Sequence, residues 1–238
     1  MNLEFFGIED MRIDELNWFD VESYLENDDR LMFVLGACEQ HGYLSLLTDV
    51  KIPLALADAA SKRTGILLAP PINFGCSPYF LAYPGTISLR VTTLLDLVED
   101  LISSAHSQGF RRILVLNGHG GNDLVRGRLY ELANQLPDLR LGWYAWWQSH
   151  SIEDIARKYE LKPYHANWLE AFNFTRVADL PKGEKIPPKT PYMLGAQEIR
   201  DIYEDGVFGG PYSVDGSIMN ELFNAALQDV LYLLRFDK

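Results

Sequence analysis

The chain is poor in cysteine, in positive charge and in long hydrophobic runs. Its 238 residues include only 2 Cys, Cys38 and Cys76, too few for a disulfide framework or a thiolate metal site and typical of a reducing cytoplasm. The 21 Lys and Arg face 33 Asp and Glu, a net charge of −12, so most of the surface repels phosphate backbones and anionic lipid. We therefore predict no nucleic-acid partner, no membrane partner and a cytoplasmic location.

Segments that would cross or enter a membrane are also missing from the sequence. No apolar run approaches roughly 18 residues, and the acidic N-terminal stretch lacks the basic and apolar regions of a signal peptide. No internal repeat, low-complexity tract or Ser/Gly-rich linker divides the chain. Because 47% of the residues are apolar, a substantial core can form, and we predict a single domain spanning residues 1–238.

Short apolar runs alternate with helical periodicity along the chain. Runs at residues 31–36, 66–69 and 112–117 and an aromatic-rich run at 139–147 predict buried strands. Residues 52–63, 93–109, 122–135 and a long C-terminal stretch predict helices, with a capping box at Thr93 and Asp96 for the second of them. This alternation is typical of an α/β protein. Residues 181–191, rich in Pro and Lys, predict a surface loop.

Metal-binding residue types follow two of the predicted strands. Glu39 and His41 come after the first strand, with Asp49 eight residues later, and His119 follows the third. Because ligands of open α/β sheets bind at the carboxyl ends of parallel strands, both loops are predicted to open onto one crevice. Glu39 and His41 share one side of an extended segment. Carboxylate and imidazole donors without thiolate suit Zn²⁺, Mn²⁺ or Fe²⁺.

Each fragment also has an ordinary interpretation. A Glu-x-His pair is common in solvated loops, and the glycines around His119 fit a tight turn or a phosphate cradle at a helix N-terminus. A third motif contains His165 and Glu170, which could reach the same cleft, or could simply mark a helix N-terminus with a half-buried histidine. Three of the five His of the chain lie in such motifs, and this concentration favours a site.

Five ordered motifs resemble the creatininase (creatinine amidohydrolase) family. They are Glu39-Gln-His-Gly42 with Asp49, Tyr83-Pro-Gly-Thr-Ile-Ser-Leu89, Asn117-Gly-His-Gly-Gly-Asn122, His165-Ala-x-x-x-Glu170 and Gly206-Val-Phe-Gly-Gly-Pro211. The resemblance implies a three-layer α/β/α sandwich with a mainly parallel central sheet. It also implies a centre of two divalent ions, Zn or Mn with Fe as a further option, hydrolysis of small amide-type C–N bonds, and a homo-oligomer, frequently a hexamer.

Carried over by motif, the resemblance assigns ligands to both metal positions. Glu39, Asp49 and His119 would hold one ion, and His41, Asp49 and Glu170 the other, with Asp49 bridging. Creatininase itself draws a carboxylate from just after its counterpart of His119. Gly121 stands at that position in this chain, so we propose Glu170 as the substitute ligand. Glu170 is thus predicted to be both a metal ligand and a catalytic residue.

The chain departs from the family around these ligands. Tyr79-Phe80 replaces an acidic–histidine pair after the Gly-x-Ser-Pro turn that contains Ser77, and Asn167-Trp168 replaces a Gly-Glu pair. The ligands stay intact, but the pocket is remodelled, which argues against creatinine as substrate. We predict that Ser77, Tyr79 and Trp168 contact the small-molecule substrate.

The predicted function is metal-dependent hydrolysis of an amide, lactam or formamide bond. His165 is the candidate acid that protonates the leaving nitrogen, with an orienting role as the alternative. Other hypotheses are a deformylase or a small-peptide-cleaving maturation enzyme on the same scaffold, a metal-binding or assembly protein without turnover, and nucleotide or phosphate binding at residues 118–122. No Gly-x-Ser-x-Gly elbow supports serine hydrolysis.

Overall fold

A computed structural model describes residues 11–189 and 192–237 of the chain. Its central sheet has four parallel strands in the order β2-β1-β3-β4. These are β1 (Arg30–Leu35), β2 (Leu67–Leu68), β3 (Arg112–Asn117) and β4 (Arg140–Ala145). A two-stranded antiparallel pair, β5 (Glu184–Lys185) and β6 (Gly210–Pro211), lies apart from it.

Seven α-helices accompany the strands in the described ranges. They are α1 (Trp18–Leu25), α2 (Thr48–Thr64), α3 (Val91–Gln108), α4 (Val125–Gln135), α5 (His150–Lys158), α6 (Ala196–Tyr203) and α7 (Gly216–Leu233). The chain alternates strand and helix from β1 to α5, which confirms the α/β prediction. Each parallel connection needs such a crossover segment.

Alternating side chains of the strands build two apolar cores, one on each face of the sheet. Met32 and Val34 of β1 pack with α2, α5 and α7, whereas Leu31, Phe33 and Leu35 pack with α1, α3 and α4. Because successive strand side chains point to opposite faces, a continuous apolar run is what burial on both faces requires. The three-layer α/β/α arrangement predicted from the sequence is confirmed.

Several predicted boundaries need correction. Helix α3 begins at Val91 after Arg90, which makes no side-chain cap, so the capping box predicted at Thr93 and Asp96 is wrong and both residues lie inside the helix. Helix α2 begins four residues before the prediction, at Thr48. Helix α4 begins at Val125 because a 3-10 turn, Gly120–Asn122, precedes it. The predicted surface loop contains β5, and its residues 190–191 lie outside the described residues.

Candidate metal centre

The sheet register brings the two predicted strand-end motifs together. Strands β1 and β3 are adjacent and parallel, with Leu35 paired to Asn117 at their carboxyl ends. Glu39 and His41 follow β1, and His119 lies two residues beyond β3. All three side chains are buried. This is the edge at which open α/β sheets bind ligands.

Helix α2 carries Asp49 into the same place, and two glycines permit its approach. Asp49 lies in the first turn of α2. A Cβ on Gly118 would lie 1.8 Å from the Asp49 carbonyl oxygen, and one on Gly36 would lie 2.5 Å from Val50 Cγ2 and 2.8 Å from the same oxygen. Since real Cβ atoms do not come closer than about 3.0 Å, only glycine at these positions lets the helix start rest on the ends of β1 and β3.

The two carboxylate oxygens of Asp49 face two different histidines. Its Oδ1 lies 3.0 Å from His41 Nε2, and its Oδ2 lies 3.0 Å from His119 Nδ1. A single buried carboxylate thus joins two imidazoles that come from different strand ends. This is the arrangement expected of a ligand shared between two cation positions.

Two glutamates complete the cluster from opposite sides. Glu39 Oε1 lies 3.3 Å from His119 Nδ1, and Glu170 Oε1 lies 3.7 Å from His41 Nε2. The other oxygen of Glu170 accepts a hydrogen bond from the Ala166 backbone N–H at 2.6 Å. Ala166 has a positive φ of 60°, which is uncommon for a residue other than glycine, so the loop bends sharply where it holds this carboxylate.

Hydrogen bonds behind each imidazole fix which nitrogen faces the cluster. His119 Nε2 lies 3.0 Å from the Cys76 carbonyl and 3.1 Å from Ser77 Oγ, and His41 Nδ1 lies 3.3 Å from the Glu39 carbonyl. A ring N–H that donates to a carbonyl leaves the opposite nitrogen with a lone pair, the usual state of a metal-ligating histidine. His119 thus presents Nδ1 to the carboxylates, and His41 presents Nε2.

Electrostatics in the cluster favour positive charge among the carboxylates. Burial lowers the pKa of His41, but the Asp49 and Glu170 carboxylates outweigh burial and raise it well above its ordinary value. Glu39 and Asp49 have the same net effect on the pKa of His119. Burial raises the pKa of Glu39, and although burial also acts upward on Asp49, the two imidazoles hold its pKa below the usual range.

Unpartnered buried atoms show that the cluster fits divalent cations. Glu39 Oε2, His41 Nε2 and Asp49 Oδ2 are buried and make no hydrogen bond among the described residues, since the 3.0 Å contacts of the last two lack hydrogen-bond geometry. Leaving such atoms unpaired is costly unless a ligand satisfies them. Two donors about 2.0–2.1 Å from a tetrahedral ion are roughly 3.3 Å apart, and the contacts above span 3.0 to 3.7 Å.

The donor atoms form three overlapping groups whose members lie within 4.8 Å of one another: Glu39, Asp49 and His119; His41, Asp49 and Glu170; Glu39, His41 and His165. The first two are the ligand sets implied by the family motifs. Nitrogen and oxygen donors without thiolate suit Zn²⁺, Mn²⁺ or Fe²⁺. The third group gives His165 a second potential role, as a ligand.

His165 lies against the cluster and inside an aromatic enclosure. Its Nε2 lies 2.9 Å from the Gln40 carbonyl, and its Nδ1 lies 3.8 Å from Glu39 Oε1. The ring of Phe80 stacks on it at 4.6 Å, and Phe208 meets it edge-on at 5.1 Å. Burial and the charge of His41 hold the pKa of His165 well below its ordinary value, so this imidazole is neutral near pH 7.

The three predicted substrate contacts have different surroundings. Tyr79 lines the cavity beside the cluster. Ser77 is buried behind His119 and contacts its Nε2, so it supports that imidazole instead of facing a substrate. The structure does not place Trp168 at the cavity: Trp168 is fully buried in the core that includes α2 and α7, and its indole N–H donates to the Lys162 carbonyl. The tryptophan that lines the cavity is Trp147.

Sequence reasoning missed one buried amide that joins three parts of the site. Gln40 Nε2 donates to the Gly206 carbonyl and lies 2.9 Å from His165 Nε2, while Gln40 Oε1 accepts from the Gly42 N–H. Gly206, with a φ of 84°, leaves no room for a Cβ beside this amide. The only signal for it was its position inside the Glu-Gln-His-Gly string.

Fold and site together define a class: an α/β/α protein with a carboxylate–imidazole cluster for divalent cations at the carboxyl ends of its parallel strands. The family model for creatininase, creatinine amidohydrolase, matches residues 14–234. The chain belongs to the creatininase family.

Curated relatives carry several different names. The chain is 33% identical over 119 residues to creatinine amidohydrolase of Pseudomonas putida, covering 47% of this chain and 46% of the relative. It is 27% identical over 158 residues to 3-dehydro-scyllo-inosose hydrolase of Thermotoga maritima, covering 63% and 49%. It is 36% identical over 126 residues to mycofactocin precursor peptide peptidase of Mycobacterium ulcerans, covering 48% and 49%. The matched part of the chain thus spans about half the length of these relatives.

Solved structures share the fold over nearly the whole chain. A crystal structure of creatinine amidohydrolase superposes with a TM-score of 0.78 at 21% identity, covering 94% of this chain and 96% of the other. A creatininase structure with Mn gives a TM-score of 0.75 at 21% identity, covering 95% and 98%. At this identity the likeness concerns the fold. In the described ranges, no helix combines the length and apolarity needed to cross a bilayer.

Proposed function

We propose that this protein is a metal-dependent amidohydrolase that cleaves a C–N bond of a small molecule, an amide, lactam or formamide, with two divalent ions. The observation that carries the proposal is Asp49, whose two oxygens face His41 and His119 at 3.0 Å each. Glu39, Asp49 and His119 would hold one ion, and His41, Asp49 and Glu170 the other. Bound there, the ions would polarise the substrate carbonyl and activate a water molecule for attack.

His165 is placed to carry a proton during the reaction. In the tautomer that carries its proton on Nε2, this N–H donates to the Gln40 carbonyl and the lone pair of Nδ1 faces Glu39. Because burial keeps the imidazole neutral, Nδ1 can accept a proton as water attacks the carbonyl and return it to the leaving nitrogen. Glu170 Oε1 lies 3.7 Å from His41 Nε2, where the two side chains would hold the second ion together with Asp49.

Separate substitutions distinguish ligands from the proton carrier. His41→Ala and Asp49→Ala are expected to lose bound metal relative to wild type in elemental analysis by mass spectrometry. His165→Ala is expected to keep its metal in the same measurement and to lose turnover in an activity assay. Loss of metal in His165→Ala would make this residue a ligand in the third donor group. Absence of Zn, Mn and Fe from wild-type protein after metal-replete expression would refute the metal-dependent function.

Peptide cleavage on the same scaffold is the second candidate. This candidate is favoured by the similarity to a mycofactocin precursor peptide peptidase, which is 36% identical to the chain over 126 residues. A substrate panel of lactams, formamides and short peptides, run with metal-loaded protein, separates the two. Turnover of peptides alone would replace the small-molecule proposal.

We also infer that the chain works as one domain, as a homo-oligomer and in the cytoplasm. Both apolar cores pack on the same sheet, which supports a single cooperative unit, and the family resemblance supports oligomerisation, with a hexamer as the expected state. One unfolding transition in calorimetry and a mass of six chains in light scattering are the expected results. Fractionation of the source cells tests the location.

A further inference from the structure

Several aromatic rings line the cavity beside the cluster. Tyr79, Trp147, Tyr164 and Phe208 line this space of about 380 Å³, and all four are half-buried. We call these four residues the aromatic wall. Pro163 and Leu169 line the same cavity, so most of the surface next to the metal ligands is apolar.

Ring contacts hold much of the wall in place. Phe208 stacks on Tyr203 with centroids 3.8 Å apart and an interplanar angle of 11°, and Phe80 meets it edge-on at 5.6 Å. Tyr79 meets Phe80 edge-on at 4.6 Å, and Trp147 meets the buried Trp146 edge-on at 6.3 Å. A wall already ordered in this way loses little conformational entropy when a flat group binds to it.

Charge in the cavity is confined to the cluster. Among the described residues that line it, none is Lys or Arg, and the acids are Glu39, Asp49 and Glu170. Two divalent ions would leave this end with a net charge of about +1 once the three carboxylates are counted. A negative group held against the wall would find no cation there, and a positive group would be desolvated close to two metal ions.

We propose that the substrate carries a neutral aromatic group that packs on the aromatic wall while its amide carbonyl reaches the cluster. This substrate class rests on the proposed amidohydrolase function and deepens it. Apolar burial and ring contacts supply the affinity for the aryl group. Charged substituents at the far end of the ring are excluded because the wall offers them no partner.

Hydroxamates test the wall separately from turnover, because they bind metal centres without being hydrolysed. Acetohydroxamate, benzohydroxamate, 4-carboxybenzohydroxamate and 4-(trimethylammonio)benzohydroxamate are titrated calorimetrically into metal-loaded protein. Burial of a phenyl group predicts benzohydroxamate binding at least about 10-fold tighter than acetohydroxamate. Both charged probes are expected to bind more weakly than benzohydroxamate, and a charged probe that binds as tightly or tighter would overturn the proposal.

Variants locate the preference on the wall. Trp147→Ala and Tyr164→Ala are expected to reduce the benzohydroxamate-to-acetohydroxamate affinity ratio, whereas Trp18→Ala, in exposed α1 at 63% exposure, leaves it unchanged. Tyr164→Arg is expected to bind 4-carboxybenzohydroxamate more tightly than wild type does, because the arginine offers the carboxylate a partner. An unchanged ratio in both alanine variants, with metal content and folding intact, contradicts the proposal.

Failure of the proposed function has a different signature. Protein that binds neither metal nor acetohydroxamate refutes the metal-dependent function, and the wall is then tested without metal by saturation-transfer NMR. Benzamide is expected to give a stronger signal than 4-carbamoylbenzoate or (4-carbamoylphenyl)trimethylammonium. A stronger signal from either charged probe overturns the neutral-aryl proposal.

Discussion

Substitution of Gly118 by alanine is expected to damage the metal centre without touching any ligand side chain. The new Cβ would lie 1.8 Å from the Asp49 carbonyl oxygen and 2.9 Å from Pro53 Cγ. Restoring a separation of about 3.0 Å from that oxygen requires the start of α2 to move about 1.2 Å away from the end of β3. Asp49 must move with it, because it lies in the first turn of the helix.

The size of the effect follows from that displacement. Overpacking a tightly packed contact costs about 1–3 kcal/mol, which for a chain of this length lowers the Tm by about 2–12 °C. A misplacement of about 1 Å in a catalytic site can cost about 100-fold in rate. Asp49 is shared between both proposed ions, so we expect metal affinity to fall at least 10-fold and turnover to fall further.

A neighbouring glycine in the same loop provides the matched control. An added Cβ on Gly120 meets nothing within 4 Å, so Gly120→Ala should keep wild-type Tm and metal affinity. Gly36→Ala, whose closest contact is 2.5 Å to Val50 Cγ2, should lie between the two. Thermal unfolding and chelator competition give the ranking. Gly118→Ala protein that binds metal as tightly as Gly120→Ala would refute the close approach of α2 as the device that positions Asp49.

Three further results are expected. Ser77→Ala removes one partner of His119 Nε2 and should weaken metal binding about 10-fold in chelator competition; unchanged affinity would show that the Cys76 carbonyl alone orients the ring. Trp168→Ala leaves a cavity at a fully buried position and should lower the free energy of unfolding in urea by about 3–5 kcal/mol. The folded variant should keep the wild-type order of hydroxamate affinities, and a change in that order would show that Trp168 contacts the ligand. Zn²⁺ or Mn²⁺ at 100 times its Kd should stabilise wild type by about 2.7 kcal/mol in calorimetry, and Asp49→Asn should show little of this gain; an equal gain in both would contradict the assigned ligands.

The sheet could be predicted because its information is local. Residues 31–36 and 112–117 are continuous apolar runs, and burial on both faces of a parallel strand demands that pattern. The start of α3 could not be predicted in the same way. Thr93 and Asp96 have capping-box spacing, yet the helix begins at Val91 and has no side-chain cap. Leu94 and Val98 pack in the apolar core on this face of the sheet, and that packing does not depend on which residue precedes the first helical turn.

The pocket was less predictable than the ligands because its wall is assembled from distant segments. Glu39, His41 and Asp49 fall within eleven consecutive residues, and His119 and His165 lie in recognisable strings. Trp147 and Trp168 are both aromatic residues beside polar neighbours, and nothing local tells them apart. In the folded chain Trp168 belongs to the apolar core that includes α2 and α7, whereas Trp147 lines the cavity.

The surroundings of Gly121 leave no room for a side chain. A Cβ at this position would lie 2.0 Å from the Cys76 carbonyl oxygen and 2.4 Å from His119 Nε2. The Cys76 carbonyl therefore contacts His119 through space that any side chain at 121 would occupy, so a carboxylate at 121 and this hydrogen bond are mutually exclusive. The chain instead places Glu170 near His41, held by the Ala166 N–H from a different loop. In the proposed ligand set, the second carboxylate therefore comes from the loop that also carries His165, and the position beside His119 Nε2 stays with the Cys76 carbonyl.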